Sequence, residues 1–148
     1  MLIEQIRADL VTATKAKATD TQRTLRSVIA AVQEAEVAGD AAESLDDDGV
    51  LAVLKAQVKR RVDAAEAFES GGADDRAAAE RAEMAIIETY LPAKLSDADL
   101  DAIVTDVFAT NGFSEKAQMG AAMKAVNAEV AGRADGRAVA DLVKSRLA

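Results

Sequence analysis

Leu100, Ile103, Val104, Val107 and Phe108 recur at i, i+3, i+4, i+7 and i+8. Only the 3.6-residue period of an α-helix gathers such positions on one face. The same period recurs in Ile3, Ile6, Leu10 and Ala13, in Leu25, Val28, Ile29 and Val32, and in Leu51, Leu54, Val58, Val62 and Ala65. It returns in Met119, Ala122, Met123, Val126 and Val130, and in Val139, Leu142, Val143 and Leu147. Alanine, the strongest helix former, occupies 35 of the 148 positions, and the aromatic residues are Phe68, Tyr90, Phe108 and Phe113 alone. Strands built from β-branched and aromatic residues have little to draw on. The predicted fold class is all-α and multihelical.

The punctuation predicts seven helices in two subdomains. The first spans about 2–17. The second follows Asp20 as N-cap and stops at Gly39, and residues 40–45 form a polar loop. Asp46, Asp47 and Asp48 open the third, where acidic residues suit the positive end of the helix dipole; they lack the ligand spacing of a calcium loop. Gly71-Gly72 ends it. The fourth covers about 74–90 with a thin inner face of Ala79, Ala82, Ile86 and Tyr90. Pro92, the single proline, blocks further helix. Residues 92–95 read as a linker between an N-terminal subdomain of about four helices (1–91) and a C-terminal three-helix bundle (96–148). Ser96 with Asp99 approximates a capping box, with Leu95 and Leu100 in staple positions. Asn111-Gly112 ends the fifth helix, Ser114 is placed to cap the sixth, Gly132 ends that one, and Asp135 caps the seventh.

Catalysis has few footholds. The chain has no Cys and no His. Thiolate nucleophiles, the usual zinc sites and Ser-His-Asp chemistry are therefore excluded. No serine sits in a nucleophile-elbow setting, and no phosphate-binding P-loop is present. No catalytic residue, metal or cofactor is expected. No apolar run approaches the roughly 18 residues of a membrane span, and Glu4 interrupts the apolar stretch a signal peptide needs, so a soluble cytoplasmic protein without membrane contact is expected. With 18 basic and 26 acidic residues the formal net charge is −8. Contact with nucleic acid would need a local basic patch.

Two such patches exist. Lys55, Lys59, Arg60 and Arg61 lie within two turns of the third helix; residue types favour a solvated face, with Lys59 paired to Asp63. From residue 116 onward basic residues outnumber acidic ones six to three. Within that stretch Arg137 is spaced to pair with Asp141, and Asp141 with Lys144. Arg133 lies in the turn Gly132-Arg133-Ala134-Asp135-Gly136 without an evident partner. A tight helix–helix turn explains Gly132, Asp135 and Gly136 without a ligand. Gly120, inside the sixth helix beside Met119, costs about 1 kcal/mol relative to Ala, and a close helix crossing is its favoured explanation over backbone approach by a partner.

Lys59-Arg60-Arg61, Tyr90-Leu91-Pro92 with Leu95 and Ser96, Met119-Gly120 with Met123, and Gly132 to Gly136 leading to Val139, Leu142, Val143 and Leu147 follow one another in a recognisable order. In these the chain resembles, over essentially its whole length, a free-standing member of the GatB/YqeY family. The resemblance implies an all-helical fold of two subdomains, related to the tail domain of the B subunit of tRNA-dependent amidotransferases. There kinase and amide-transfer chemistry lies in a separate catalytic domain, which this chain lacks. The implied partner is tRNA, met by the C-terminal subdomain; amidotransferase or synthetase proteins are further partners. Lys124 and Arg133 match basic positions of the tail and are the candidate RNA contacts it implies. Lys116, Arg137, Lys59 and Arg60 join them on charge. An accessory tRNA-binding module is the leading expectation. A protein–protein adaptor, and a component of a glutamine-dependent carbon–nitrogen ligase, are the alternatives.

Overall fold

The computed structural model describes residues 1–39 and 41–148, and all its α-helices among these are accounted for by seven elements, with no strand. Asp40, the first residue of the expected polar loop, lies outside the described residues. The chain divides into two compact units, Met1–Leu91 and Pro92–Ala148.

The first unit contains α1 (Leu2–Lys15), α2 (Thr19–Val37), α3 (Asp47–Ser70) and α4 (Asp74–Glu88). Ile3 and Ile6 of α1, Leu25, Val28 and Val32 of α2, Val50 and Leu54 of α3, and Ile87 of α4 form its core. Each such side chain contributes on the order of 1.5–3 kcal/mol by leaving water. Asp46 caps α3 by accepting from the Gly49 N–H at 2.8 Å. Asp47 accepts from the Leu2 N–H at 2.8 Å and so ties the start of α1 to the start of α3. The acidic triplet is thus used for capping, two of its members satisfying otherwise orphaned helix N–H groups.

Three local expectations are corrected. Asp20 is not the N-cap of α2: the helix begins at Thr19 after Ala18, and Asp20 pairs instead with Arg23 at 2.9 Å inside the first turn. The buried face of α3 is Val50, Leu54, Gln57, Arg61 and Ala65, while Leu51 and Val58 are only partly buried. The inward face is rotated because a charged residue with polar partners occupies it. On α4, Ala79 and Ala82 are exposed, and Ala77 and Ile87 are buried. Alanines at many successive positions carry almost no phase information, so Ile87 sets the rotation of the helix.

The second unit contains α5 (Asp97–Asn111), a 3-10 turn (Lys116–Gln118), α6 (Met119–Val130) and α7 (Gly136–Arg146). Leu100, Val104, Val107 and Phe108 meet Ala122, Val126 and Val130 of α6 and Val139, Val143 and Leu147 at α7. Ser96 accepts from the Asp99 N–H at 3.1 Å, the expected cap. Gly112, with φ +69°, closes α5 in the left-handed region open to glycine, and Phe113 then meets Phe108 edge-on with centroids 5.7 Å apart. Leu95 packs against this core, and its N–H donates to the Arg133 carbonyl at 2.8 Å. Ser114 does not cap the next element. Its N–H and that of Glu115 both donate to the Gln118 side chain, at 2.8 and 2.9 Å, in a capping box built on Glu115. Arg146 bonds Asp101, and also Thr105 at 2.9 Å, holding α7 to α5.

Candidate functional site

The cationic side chains of the second unit fall into two groups, separated by what they touch. Lys116 in the 3-10 turn and Lys144 on α7 line one groove of about 360 Å³ floored by Met119 and Leu147. The groove is held shut at its base by backbone bonds: Ala148 N–H donates to the Ser114 carbonyl at 2.9 Å, and Lys116 N–H to the Ala148 carbonyl at 3.3 Å. Arg137 lies seven residues before Lys144, which places the two on one face of α7. Lys124 is one turn past Gly120 on the same face of α6. Lys116, Lys124, Arg137 and Lys144 are all exposed. Among the described residues none of them makes an ion pair; the Arg137–Asp141 and Asp141–Lys144 pairs do not form. Their charges are therefore open to an external anion without any internal contact having to break.

Arg133 belongs to the other group. Its Nε donates to the Val130 carbonyl at 3.1 Å and its Nη2 to the Glu129 carbonyl at 3.0 Å. Both carbonyls lie in the last turn of α6, where helix acceptors lack intrahelical partners, and that of Val130 also accepts from the Arg133 backbone N–H at 3.0 Å. The guanidinium thus has partners, though not the charged ones a sequence reading looks for. Asp135 performs the expected capping, its carboxylate accepting from the Ala138 N–H at 3.4 Å, with Gly136 as the first residue of α7. The left-handed close of α6 is Ala131, with φ +49°; Gly132 continues it at φ +75°.

Gly120 is not at a helix crossing. It is exposed in the first turn of α6, and nothing lies within 4 Å of where a Cβ would stand. A crossing needs a neighbouring helix, and none is there. The helix backbone at Gly120 is instead accessible from outside. Pro92 is exposed at the head of the second unit and Met119 is partly buried at the groove.

In the first unit the basic run separates by helix rotation. Lys59 and Arg60 are exposed, and Lys59 makes no ion pair with Asp63 among the described residues. Arg61 turns inward. Its Nε meets Glu83 at 3.2 Å, its Nη1 donates to the Gln57 carbonyl at 3.1 Å and side chain at 2.8 Å, and its Nη2 donates to Ser27 Oγ at 3.2 Å. Glu83 also faces Arg23 at 3.5 Å. This network joins α2, α3 and α4 and was missed at the sequence level, although Arg61 stands seven residues after buried Leu54 and four before buried Ala65. Tyr90 donates its hydroxyl to Asp9 at 2.5 Å, and burial first, then that carboxylate, push the phenol above its ordinary range.

Charge is unevenly divided. Residues 1–91 carry 11 basic and 18 acidic side chains, and 92–148 carry 7 and 8. The acidic excess is concentrated in the first unit. Among the described residues no group of three carboxylates is arranged to hold a metal ion, and no helix is long and apolar enough to cross a membrane.

A family model described as Yqey-like protein matches residues 3–147. The chain is also similar to altered inheritance of mitochondria protein 41, mitochondrial, from Meyerozyma guilliermondii, at 36% identity over 89 residues. The aligned stretch covers 60% of this chain and 46% of that relative, so the chain matches about half of the longer protein.

Proposed function

Since this chain belongs to the YqeY-like family, we propose that it is an accessory module that binds tRNA through its second unit. In this reading it serves glutamine-dependent amidotransferase chemistry performed by another protein, in the cytoplasm, with an amidotransferase or synthetase as its protein partner. The observation that carries the reading is the set Lys116, Lys124, Arg137 and Lys144, exposed and free of internal ion pairs among the described residues.

Phosphate contacts position a protein on RNA without reading its sequence, and folded RNA is recognised largely by shape. A small rigid bundle with projecting cations suits that mode. The acidic first unit opposes indiscriminate binding, since like charge repels the rest of the phosphate backbone. Exposed Gly120, one turn from Lys124, leaves room for a sugar–phosphate backbone to approach the helix closely. Arg133 supports the interface by fixing the end of α6 rather than by reaching outward.

Filter binding of purified chain to bulk tRNA at about 50 mM salt, where electrostatic attraction is strongest, tests the reading. Saturable retention is expected. Absence of retention at that salt contradicts tRNA binding by this chain.

A further inference from the structure

A second, chemically different site lies in the first unit. Ser27 of α2, Gln57, Arg60 and Arg61 of α3, and Glu80 and Glu83 of α4 line a polar cleft of about 250 Å³. Its floor is preorganised. The Arg61 side chain is only 9% exposed and is held by Glu83, Gln57 and Ser27. A guanidinium has five N–H donors; the four bonds described above use four of them, leaving one Nη2–H. Ser27 Oγ accepts from Arg61, so its own O–H remains able to donate. At the rim, Arg60 and Glu80 make no ion pair or hydrogen bond among the described residues.

The cleft therefore presents an unengaged cation and an unengaged anion on facing helices, above a floor whose charges are already matched. A simple anion would be drawn to Arg60 and the spare Arg61 donor but repelled by Glu80. A simple cation would meet the reverse. Only a ligand carrying both charges satisfies both walls, and excluding each half-ligand is how such a site gains specificity. The volume is below the roughly 300 Å³ at which pockets for drug-sized ligands begin, which limits the ligand to a small molecule.

We propose that this cleft binds a small zwitterion of the free α-amino acid class. Its carboxylate is taken by Arg60, the remaining Arg61 Nη2–H and the Ser27 hydroxyl, and its ammonium by Glu80. The site needs no RNA and stands apart from the tRNA-binding reading.

The test is ¹H–¹⁵N NMR titration of the full chain with individual L-α-amino acids up to millimolar concentration. Acetate, methylammonium and inorganic phosphate are the single-charge controls. At least one amino acid should saturate shifts centred on Ser27, Arg60 and Glu80, and the controls should not. Arg60→Ala and Glu80→Gln should each weaken binding about tenfold or more, as loss of a charge-assisted contact requires. Both positions are outside the core, and unchanged spectral dispersion elsewhere verifies folding; Arg60→Gln and Glu80→Ala are the second variants. Failure of every amino acid to saturate, equal binding of acetate or phosphate, or wild-type affinity in folded variants at both positions would overturn the assignment.

Discussion

Arg61 Nε stands 3.2 Å from Glu83 Oε2, joining α3 to α4 through a guanidinium buried among polar partners. The pair holds Arg61 inward on α3 and adds to buried Ile87 in fixing the rotation of α4, because an inward arginine is tolerable only where carboxylate and carbonyl acceptors meet it. Removing one partner leaves the other desolvated and uncompensated. Arg61→Ala should cost about 3–5 kcal/mol. Arg61→Met, which keeps much of the volume without the charge, should cost less than Glu83→Ala, which strands the guanidinium. Urea unfolding monitored by circular dichroism checks the order.

Arg133 and Lys124 should separate stability from binding. Arg133→Ala removes the side-chain bonds to the Glu129 and Val130 carbonyls at the end of α6, leaving Val130 only the backbone N–H of residue 133, and should lower stability by about 1.5–3 kcal/mol, the range for hydrogen bonds to charged groups. Lys124→Ala, on an exposed face, should change stability by less than about 0.5 kcal/mol. Thermal unfolding of the two variants distinguishes them; equal destabilisation would contradict the roles assigned.

Ala131 occupies the left-handed region at φ +49°. An L-residue there carries a penalty of roughly 1–2 kcal/mol that glycine avoids. Ala131→Gly should raise stability by about 1 kcal/mol, and a melting temperature unchanged or lowered would show that the exposed methyl makes contacts outweighing the strain.

Tyr90 confers a pH dependence of definite sign. Its phenol holds its proton to higher pH in the folded chain than in the unfolded one, so the unfolded state loses that proton first. The associated stability is fully present below about pH 10, the ordinary tyrosine value, and is lost as pH rises through the folded value. Tyr90→Phe should remove that part of the alkaline loss and also the bond to Asp9. Denaturant midpoints of the two proteins from pH 8 to pH 11 measure it; parallel curves would refute the coupling.

Legibility in the sequence followed side-chain size and partner type. The face of α5 could be read directly because its buried positions are large: Leu100, Val104, Val107 and Phe108. The face of α4 could not, since a helix of alanines looks alike from every side, and exposed Ala79 resembles buried Ala77. Asp46, Ser96 and Asp135 were recognisable as caps because capping is a local bond three residues away. Arg61 was hidden because its partners Ser27 and Glu83 come from other helices, 34 and 22 positions away. Arg133 was hidden for another reason: its acceptors are backbone carbonyls, which a search for opposite charges passes over. The exposed lysines were nameable, but which cations remained unpaired depended on rotamers and helix rotation.

The most direct measurement of the central claim is the salt dependence of tRNA affinity for wild type and for Lys116→Ala, Lys124→Ala and Lys144→Ala. If the second unit grips phosphates through these side chains, log K falls linearly with log salt, and each substitution reduces the slope by about 1 while leaving the fold intact. A slope unchanged in all three folded variants, or no binding even at the lowest salt, would contradict it.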